Sequence, residues 1–386
     1  MKKQLTRIAS WMLLATMGQA GAFAQNIRID MNQTYPEKTI SLQKVADVKY
    51  IPLETTDEVL FNGIVTNLSA EGIAGFNKKE GDILVFDGTG KAIASFNHTG
   101  QGPNEYNKIY HLDVDWKQKE VYVQDNFRQK IRIYGLDGRH LRTIDLQETM
   151  QQGDLYSFSD THLIYYAKPK SKPVTAYEPV TLLSKKDASK VTLPFTKTDD
   201  NLVKATGGPF GDKKMSAKNV NLLCKKGDEV YVNEVTADVI YRVESNHALT
   251  PVVERTPSYQ DASGQDFFLM LTGANARYYF FKRQQALLEF QGNAATDTKS
   301  TYVAYDRKEK QLLNPTFTNE DYPSQDIPMS KLLQCAGSAN RCYLQLEAFK
   351  LKEALAEGKL KGTLKSIAEK LDEEDNPVLM VVEFKK

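Results

Sequence analysis

The chain has 386 residues, a hydrophobic fraction of 41% and a formal net charge of +1 at pH 7. A nearly neutral chain with dispersed lysines and arginines lacks the basic field that attracts nucleic acid or anionic lipid, so both partners are excluded. Three cysteines are too few for a disulfide-stapled scaffold of this length, and burial of apolar side chains must therefore stabilise the fold.

The first 24 residues have the pattern of a secretory signal peptide. Three basic residues flank the start of an apolar run over residues 8–17, and an A-x-A cleavage site ends at Ala24. Cleavage there removes three cations and no acidic residue, so the formal charge of residues 25–386 is −2. No cysteine for lipid attachment lies near the cut, and no run approaches the roughly 20 apolar residues of a membrane span. We expect a periplasmic or secreted protein without a transmembrane segment or lipid anchor.

Two short strands are predicted before the first complete structural unit. Residues 27–29 could form one edge strand, and residues 48–53 form a strand that ends beside Pro52. Such an early strand suits the ring closure of β-propellers. In these folds an N-terminal strand can complete the last blade, so that no open sheet edge remains between the chain ends.

The strongest pattern is a repeated hairpin. Residues 83–93 align with residues 131–141 at an offset of 48, and each copy is an apolar run, a Gly/Asp turn and a second run. Hairpins at such a period indicate propeller blades. Residues 120–123 recur identically at 229–232, about two blades later, so residues 163–166 and 180–183 are assigned to a divergent blade between them.

The rest of the chain completes six blades. Residues 197–217 are interpreted as a long loop, and a fifth blade is assigned to residues 278–281, 286–290 and 301–305. Apolar residues at helical spacing follow, divided into two short helices by glycines, and residues 378–384 form a last strand. The predicted fold is all-β: one six-bladed β-propeller of four-stranded blades over residues 25–386, with a helical insert at about 347–373 in the last blade.

The most individual segment is G-Q-G-P-N-E-Y at residues 100–106. It is either a binding loop that offers Glu105 and Tyr106 to a ligand or an inter-blade turn built from glycine and proline, and we favour the turn. Asp125, Asn126 and Arg128 follow a strand at a blade edge. They are candidates for ligand binding too, although Asp and Asn also cap turns.

Other site chemistry has little support. The five histidines lack metal-ligand spacing, and neither a nucleophile elbow nor a phosphate-binding glycine loop is present. Asp113 and Asp115 alternate on a strand and give only a weak hint of a cation site. We predict no metal, no cofactor and no catalytic residue. Cys335 and Cys342 could form a disulfide that leaves Cys224 over, or all three thiols could be packed as small apolar groups.

Four segments carry a resemblance to a known family. They are Y-I-P-L-E-T-T at 50–56, the segment 100–106, V-Y-V-Q-D-N at 121–126 with Lys130 and Ile131, and N-P-V-L at 376–379. The chain resembles the exported six-bladed propellers of Bacteroidetes, which are similar to TolB-like and NHL-repeat propellers. The resemblance implies a ring outside the cytoplasm and no established catalytic residues. The lipid-attachment cysteine that many relatives carry is absent here.

Two functions compete at this point. The favoured one is a non-catalytic binding or scaffold propeller, expected to be a monomer, that recognises a protein, peptide or glycan. The alternative is a lyase or hydrolase with a polar or metal site at the axial channel. A purely structural envelope component is a weaker third hypothesis. A funnel lined by several histidines and carboxylates would favour the enzyme, and a channel plugged by apolar side chains would favour the binder.

Overall fold

Six sheets surround a central axis as the blades of a six-bladed β-propeller. The computed structural model describes residues 27–168, 177–196, 202–207, 213–216, 222–227, 229–259, 261, 267–291, 294–295, 299–332 and 341–385. The chain starts with four short elements: β1 (Ile27–Asp30), β2 (Glu37–Ser41), α1 (Leu42–Val45) and β3 (Ala46–Pro52).

The first three blades follow in chain order, each as a meander of four antiparallel strands. Blade 1 contains β4 (Ile64–Leu68), β5 (Gly72–Phe76), β6 (Ile83–Asp87) and β7 (Ala92–Phe96). Blade 2 contains β8 (His111–Asp115), β9 (Glu120–Asp125), β10 (Lys130–Gly135) and β11 (His140–Asp145). Blade 3 contains β12 (Thr149–Ser157), β13 (His162–Lys168), β14 (Val180–Ser184) and β15 (Lys190–Thr192).

The second half of the ring is less regular, because other elements interrupt the blades. Two strands precede blade 4: β16 (Leu202–Gly207) and β17 (Lys213–Ser216). Blade 4 contains β18 (Leu223–Lys226), β19 (Glu229–Val232), β20 (Val239–Val243) and β21 (Leu249–Thr256). Blade 5 and its insertion contain β22 (Phe267–Ala274), β23 (Tyr278–Gln285), β24 (Leu287–Gln291), β25 (Ala294–Ala295), β26 (Ser300–Asp306), β27 (Gln311–Thr318) and β28 (Asp326–Pro328).

The sixth blade closes the ring. The remaining elements are α2 (Met329–Leu332), β29 (Arg341–Leu346), α3 (Ala348–Ala356), α4 (Gly362–Ala368) and β30 (Val378–Phe384). In its described part, the sheet of blade 6 has three strands in the order β29-β30-β3, with Tyr50 opposite Met380. The strand β3, predicted from residues 48–53, therefore completes the last blade, as the sequence indicates. The strands β1 and β2 also pair in parallel with β21 and β27, so the N-terminal segment adds an outer strand to blades 4 and 5.

The hairpin turns explain why the repeat is visible in the sequence. Gly90 and Gly138 occupy the same place in the two copies, and both have the left-handed backbone conformation, with φ of 91° and 81°. Asp87 fixes the first turn because its Oδ1 accepts the backbone N–H of Thr89 at 2.8 Å. This is the turn chemistry for which Gly and Asp are favoured.

Two sequence assignments are wrong. Residues 197–217 are not wholly a loop, because they contain β16 and β17, and residues 286–290 are not part of blade 5. The strand β24 pairs in parallel with β16, and β17, β16, β24 and β25 form a separate sheet. The sequence of residues 286–290 would suit a strand of blade 5 as well as a strand of this separate sheet. The sheet to which it belongs is determined by its pairing with β16, more than 80 residues earlier in the chain.

Apolar side chains fill the spaces between neighbouring blades. Between blades 1 and 2 the cluster includes Val85, Leu112, Val123 and Tyr134, all fully buried. The helices α3 and α4 cover blade 6 through a cluster of their own with Val378. The apolar stripe of these helices therefore packs against the propeller itself.

The cysteine pairing is not tested, since Cys335 lies outside the described residues. Cys342 is buried in the core of blade 6, and the Cys224 thiol lies 3.3 Å from the carbonyl oxygen of Leu271. A disulfide between Cys335 and Cys342 stays a prediction.

Candidate functional site

The innermost strands of the blades enclose two cavities along the ring axis. The first, of about 640 Å³, is called the upper cavity here. Its walls come from blades 1, 2, 3, 4 and 6, and the residues that line it are Gly63, Ile64, Val65, Thr66, Lys78, His111, Asp113, Tyr156, Lys225, Lys226, Tyr343, Gln345 and Glu347. A cavity of this size holds a small polar ligand or the end of a larger one.

The second cavity, called the lower cavity, measures about 870 Å³. It lies at the C-terminal ends of β4 and β8, whereas the upper cavity lies at their N-terminal ends. Its lining residues are Asn67, Ser69, Glu71, Val114, Asp115, Trp116, Lys117, Ser157, Phe158, Ser159, Asp160, Thr161 and Lys225. Lys225 lines both cavities and therefore marks the boundary between them.

Asp113 is the centre of this boundary. Its Oδ1 accepts a hydrogen bond of 2.7 Å from Asn67 Nδ2, and its Oδ2 accepts the backbone N–H of Ser157 at 2.6 Å and Lys225 Nζ at 3.0 Å. Burial alone would raise the pKa of the Asp113 carboxyl. The charge of Lys225, the charge on His111 when it is protonated and the Ser157 N–H together outweigh burial, and the net shift of this pKa is downward.

His111 is the only described histidine in either cavity wall, and it is neutral. Its pKa is lowered to about 4, chiefly by burial; the nearby Asp113 carboxylate acts in the opposite direction, and the charge of Lys225 adds to the lowering. Its ring meets Tyr156 edge-on, with 4.9 Å between the ring centroids. Its buried Nε2 has no hydrogen-bond partner among the described residues, and the same is true of Thr66 Oγ1. Two polar atoms in the cavity wall therefore have no acceptor or donor within the described part of the protein.

The lower cavity has a different character, because most of its charged lining residues are in ion pairs. The ammonium of Lys185 lies 2.5 Å from Asp115 Oδ2 and 2.8 Å from Ser157 Oγ, and the Lys185 and Asp115 side chains are almost fully buried. At the rim Lys117 pairs with Asp160. These contacts hold blade 2 against blade 3, and they leave the lower cavity less suited to a charged ligand.

Asp113 and Asp115 do not form a cation site. They lie on one strand, as the sequence indicates, but each carboxylate contacts the ammonium of a lysine, which occupies the place where a cation would bind. Within the described ranges, no three His, Cys, Asp or Glu side chains gather closely enough to hold a metal ion.

The predicted residues of the 100–106 segment lie away from both cavities. Tyr106 is fully buried, and its hydroxyl donates to the Gly81 carbonyl at 2.7 Å and accepts the backbone N–H of His98 at 3.0 Å. Glu105 Oε2 accepts the backbone N–H of Gly102 at 2.6 Å. Both side chains thus make contacts within their own loop region.

Of the other three predicted residues, Arg128 contacts the same segment and Asp125 contacts the residue after it, Asn107. Arg128 donates to the carbonyl oxygens of Gly102 at 3.1 Å and Gly100 at 3.2 Å. Asp125 is fully buried and accepts the backbone N–H of Asn107, and Asn126 Oδ1 accepts from Gln124 Nε2. Four of the five residues, Glu105, Tyr106, Asp125 and Arg128, therefore lie in one loop assembly, and these contacts fit the turn interpretation. Ligand binding there stays a prediction.

Sequence analysis missed the residues of the upper cavity. Thr66, His111 and Lys225 come from three blades, and no local motif joins them. One signal could have placed Lys225 at the axis: residues 229–232 repeat residues 120–123 of blade 2, and the strand before each copy is innermost in its blade. The strand Leu223–Lys226 was not recognised because two of its four residues are lysines.

The fold and the axial cavities define a β-propeller with a polar channel lining. Among the helices of the described ranges, none combines the length and the apolar character needed to cross a membrane. The chain belongs to the family described as a domain of unknown function, DUF4934, which matches residues 26–383. No curated protein is similar enough to count as a match.

Two crystal structures from Bacteroides share the fold. A protein of Bacteroides fragilis NCTC 9343 described as exported is 15% identical, with a TM-score of 0.61 over 93% of this chain and 99% of its own. A member of the DUF4221 family from Bacteroides vulgatus ATCC 8482 is 8% identical, with a TM-score of 0.50 over 89% of this chain and 98% of its own. These likenesses show the shared propeller fold, while the finer resemblance to TolB-like and NHL-repeat propellers stays a prediction.

Proposed function

We propose that the chain is an exported, non-catalytic binding propeller whose ligand occupies the upper cavity. The ligand is a small polar molecule, or the exposed end of a peptide or glycan. Export is inferred from the signal-peptide pattern over residues 1–24 and from the exported relative of the same fold. Propellers carry many unrelated functions, so the proposal depends on the site and not on the fold.

One observation carries the proposal. Thr66 Oγ1 and His111 Nε2 are buried in the wall of one cavity, and neither has a partner among the described residues. A buried polar group without a partner costs about 1–3 kcal/mol, and such groups are rare in native proteins. Two of them on residues that line the same cavity support a ligand, or water that a ligand displaces, as the missing partner.

The geometry favours binding over catalysis. General acid–base or nucleophilic chemistry needs a base that is within hydrogen-bond reach of a second reacting or orienting group. No described side chain is hydrogen-bonded to His111, and Asp113 directs both carboxylate oxygens to other donors. The cavity is polar, as the enzyme alternative requires, but it holds one described histidine where several were the criterion.

A defined probe set tests the proposal. Ligand-observed NMR on residues 25–386 would screen neutral and acidic mono- and disaccharides, amino acids and dipeptides. The variants Thr66→Val and His111→Phe each remove one unpartnered polar atom and keep a similar shape. We expect each to weaken binding of the best probe by about fivefold or more, since a lost hydrogen bond is worth about 1 kcal/mol.

The controls are Thr39→Val on the exposed face of β2 and His162→Phe, both outside the cavity walls. They should leave binding unchanged. The proposal is contradicted if no probe binds, or if the cavity variants and the controls have equal affinities.

A further inference from the structure

We propose that His162 and His247 bind a divalent transition-metal ion at the boundary between blades 3 and 4. Neither residue lines the upper cavity, so this site is independent of the ligand proposed there. The two histidines lie far apart in the sequence, and the ring of blades brings their side chains together.

The two imidazole rings are neighbours across the blade boundary. His162 is the first residue of β13 in blade 3, and His247 lies in the turn between β20 and β21 of blade 4. Their ring centroids are 5.8 Å apart, and the ring planes meet at 75°. A zinc ion binds a histidine nitrogen at about 2.0–2.1 Å, so one ion can bridge two rings at this separation after a small side-chain rotation. Both side chains are partly exposed, so an ion can reach them from solvent.

Each ring has a nitrogen that is available to an ion. Nδ1 of His162 lies 2.8 Å from Thr161 Oγ1, which leaves Nε2 of this ring for a ligand. An oxygen partner on one ring nitrogen is the arrangement that orients metal-binding histidines. Among the described residues, His162 is the one ring that the His247 ring contacts, and the His247 ring nitrogens form no hydrogen bond there.

Turn chemistry gives no reason for an imidazole at residue 247. His247 has φ of 69°, and its N–H donates to the Glu244 carbonyl at 2.9 Å. The corresponding turns of blades 1, 2, 3 and 5 have these residues in the same left-handed conformation: Gly90, Gly138, Ala188 and Lys310. Glycine adopts this conformation without steric cost, so the turn does not select histidine. Binding by the imidazole itself explains its place better.

The available ligands select the class of metal. Imidazole nitrogen suits Zn²⁺, Ni²⁺ and Cu²⁺, whereas Mg²⁺ and Ca²⁺ prefer oxygen ligands. Glu244 of the same turn is engaged by Arg242, whose Nε and Nη2 donate to its Oε1 at 3.0 and 2.9 Å. Within the described ranges no third His, Cys, Asp or Glu side chain joins the pair, so water supplies the remaining coordination positions.

Isothermal titration calorimetry with NiCl₂ and ZnCl₂, on residues 25–386 without a purification tag, tests the site. We expect one ion to bind per chain and MgCl₂ not to bind at the same concentrations. His162→Gln and His247→Gly should each weaken binding about tenfold or more, because two linked contacts bind much more tightly than one. The control His140→Gln removes a histidine of blade 2 and should change the affinity by less than about twofold.

Thermal unfolding separates loss of the ion from loss of the fold. Glycine suits the backbone at residue 247, so His247→Gly should not lower Tm in the absence of metal. NiCl₂ should raise Tm of the unsubstituted protein and of His140→Gln, but not of the two site variants.

The proposal is overturned if neither NiCl₂ nor ZnCl₂ binds, or if MgCl₂ binds as tightly as they do. Equal affinities in the site variants and in His140→Gln also overturn it. These outcomes leave the function proposed for the upper cavity standing, because that function is tested with Thr66→Val and His111→Phe.

Discussion

Lys225 of blade 4 lies 3.0 Å from Asp113 of blade 2, across the axis of the ring and 112 residues away in the sequence. Both side chains are largely buried, and blade 3 separates their blades in the chain. The pair ties two non-adjacent blades together and divides the axial channel into an upper and a lower cavity.

The first prediction concerns this pair. Asp113→Asn removes the carboxylate and leaves the Lys225 ammonium buried without a counter-charge, so we expect a loss of about 2–4 kcal/mol in the free energy of unfolding. Chemical denaturation measures it. Asp160→Asn breaks the exposed pair with Lys117 and should lower the free energy of unfolding much less, because solvent screens this pair. Equal losses in the two variants would show that the axial pair has no special role.

The second prediction concerns ring closure. Asn376 Oδ1 accepts the backbone N–H of Phe61 at 2.7 Å, and its Nδ2 donates to the carbonyls of Glu54 at 2.7 Å and Val59 at 2.8 Å. Asn376→Ala leaves these buried backbone groups unpaired and should lower the free energy of unfolding by about 2–4 kcal/mol. Asn246→Ala, at an exposed turn, is the control, with an expected loss below about 1 kcal/mol.

The third prediction concerns a hairpin glycine. Gly90 has φ of 91°, and an added Cβ would collide with the carbonyl oxygen of Pro52, so Gly90→Ala should destabilise the protein by about 2–4 kcal/mol. Gly358 has φ of 69°, but nothing lies within 4 Å of its added Cβ. Gly358→Ala should therefore cost only about 1 kcal/mol. Thermal unfolding of both variants compares steric collision with backbone strain alone, and a larger loss at Gly358 would refute this account.

The fourth prediction is a pH dependence. The pKa of His111 is about 4 in the folded protein and near 6.5 when the chain is unfolded, so the unfolded state binds more protons between these values. Stability should therefore fall as pH decreases from about 6.5 to 4, by up to about 2–3 kcal/mol from this residue. His111→Phe should remove that part of the slope in denaturation measured across this range. An unchanged slope in the variant would mean that His111 ionises as an ordinary histidine.

The parts of the fold that sequence reasoning predicted are those encoded locally. Gly90 and Gly138 fix two hairpin turns, and turn chemistry within a few residues makes the blade repeat visible. The closing strand was predictable because Pro52 and its position before the first blade indicate an edge strand. Two of the segments that carry the family resemblance, residues 50–56 and 376–379, are in contact in the structure. The side chain of Asn376 donates a hydrogen bond to the backbone carbonyl of Glu54.

The parts that sequence reasoning missed depend on contacts distant in the chain. The pairing of β16 with β24 joins two insertions, and neither strand differs in pattern from a blade strand. The upper cavity is similar: Thr66, His111 and Lys225 are ordinary strand residues until the ring brings their blades to one axis. Glu105 stood out because glycine and proline surround it, and Arg128 stood out because it follows a strand at a blade edge. Both patterns are signals for a turn as much as for a site.

The most direct test of the central claim is a crystal structure of residues 25–386 with the tightest-binding probe. The account predicts that the probe lies in the upper cavity, within hydrogen-bonding distance of Thr66 Oγ1 and His111 Nε2. Density for the probe at the loop assembly of Glu105 and Arg128, with the upper cavity holding only water, would contradict it.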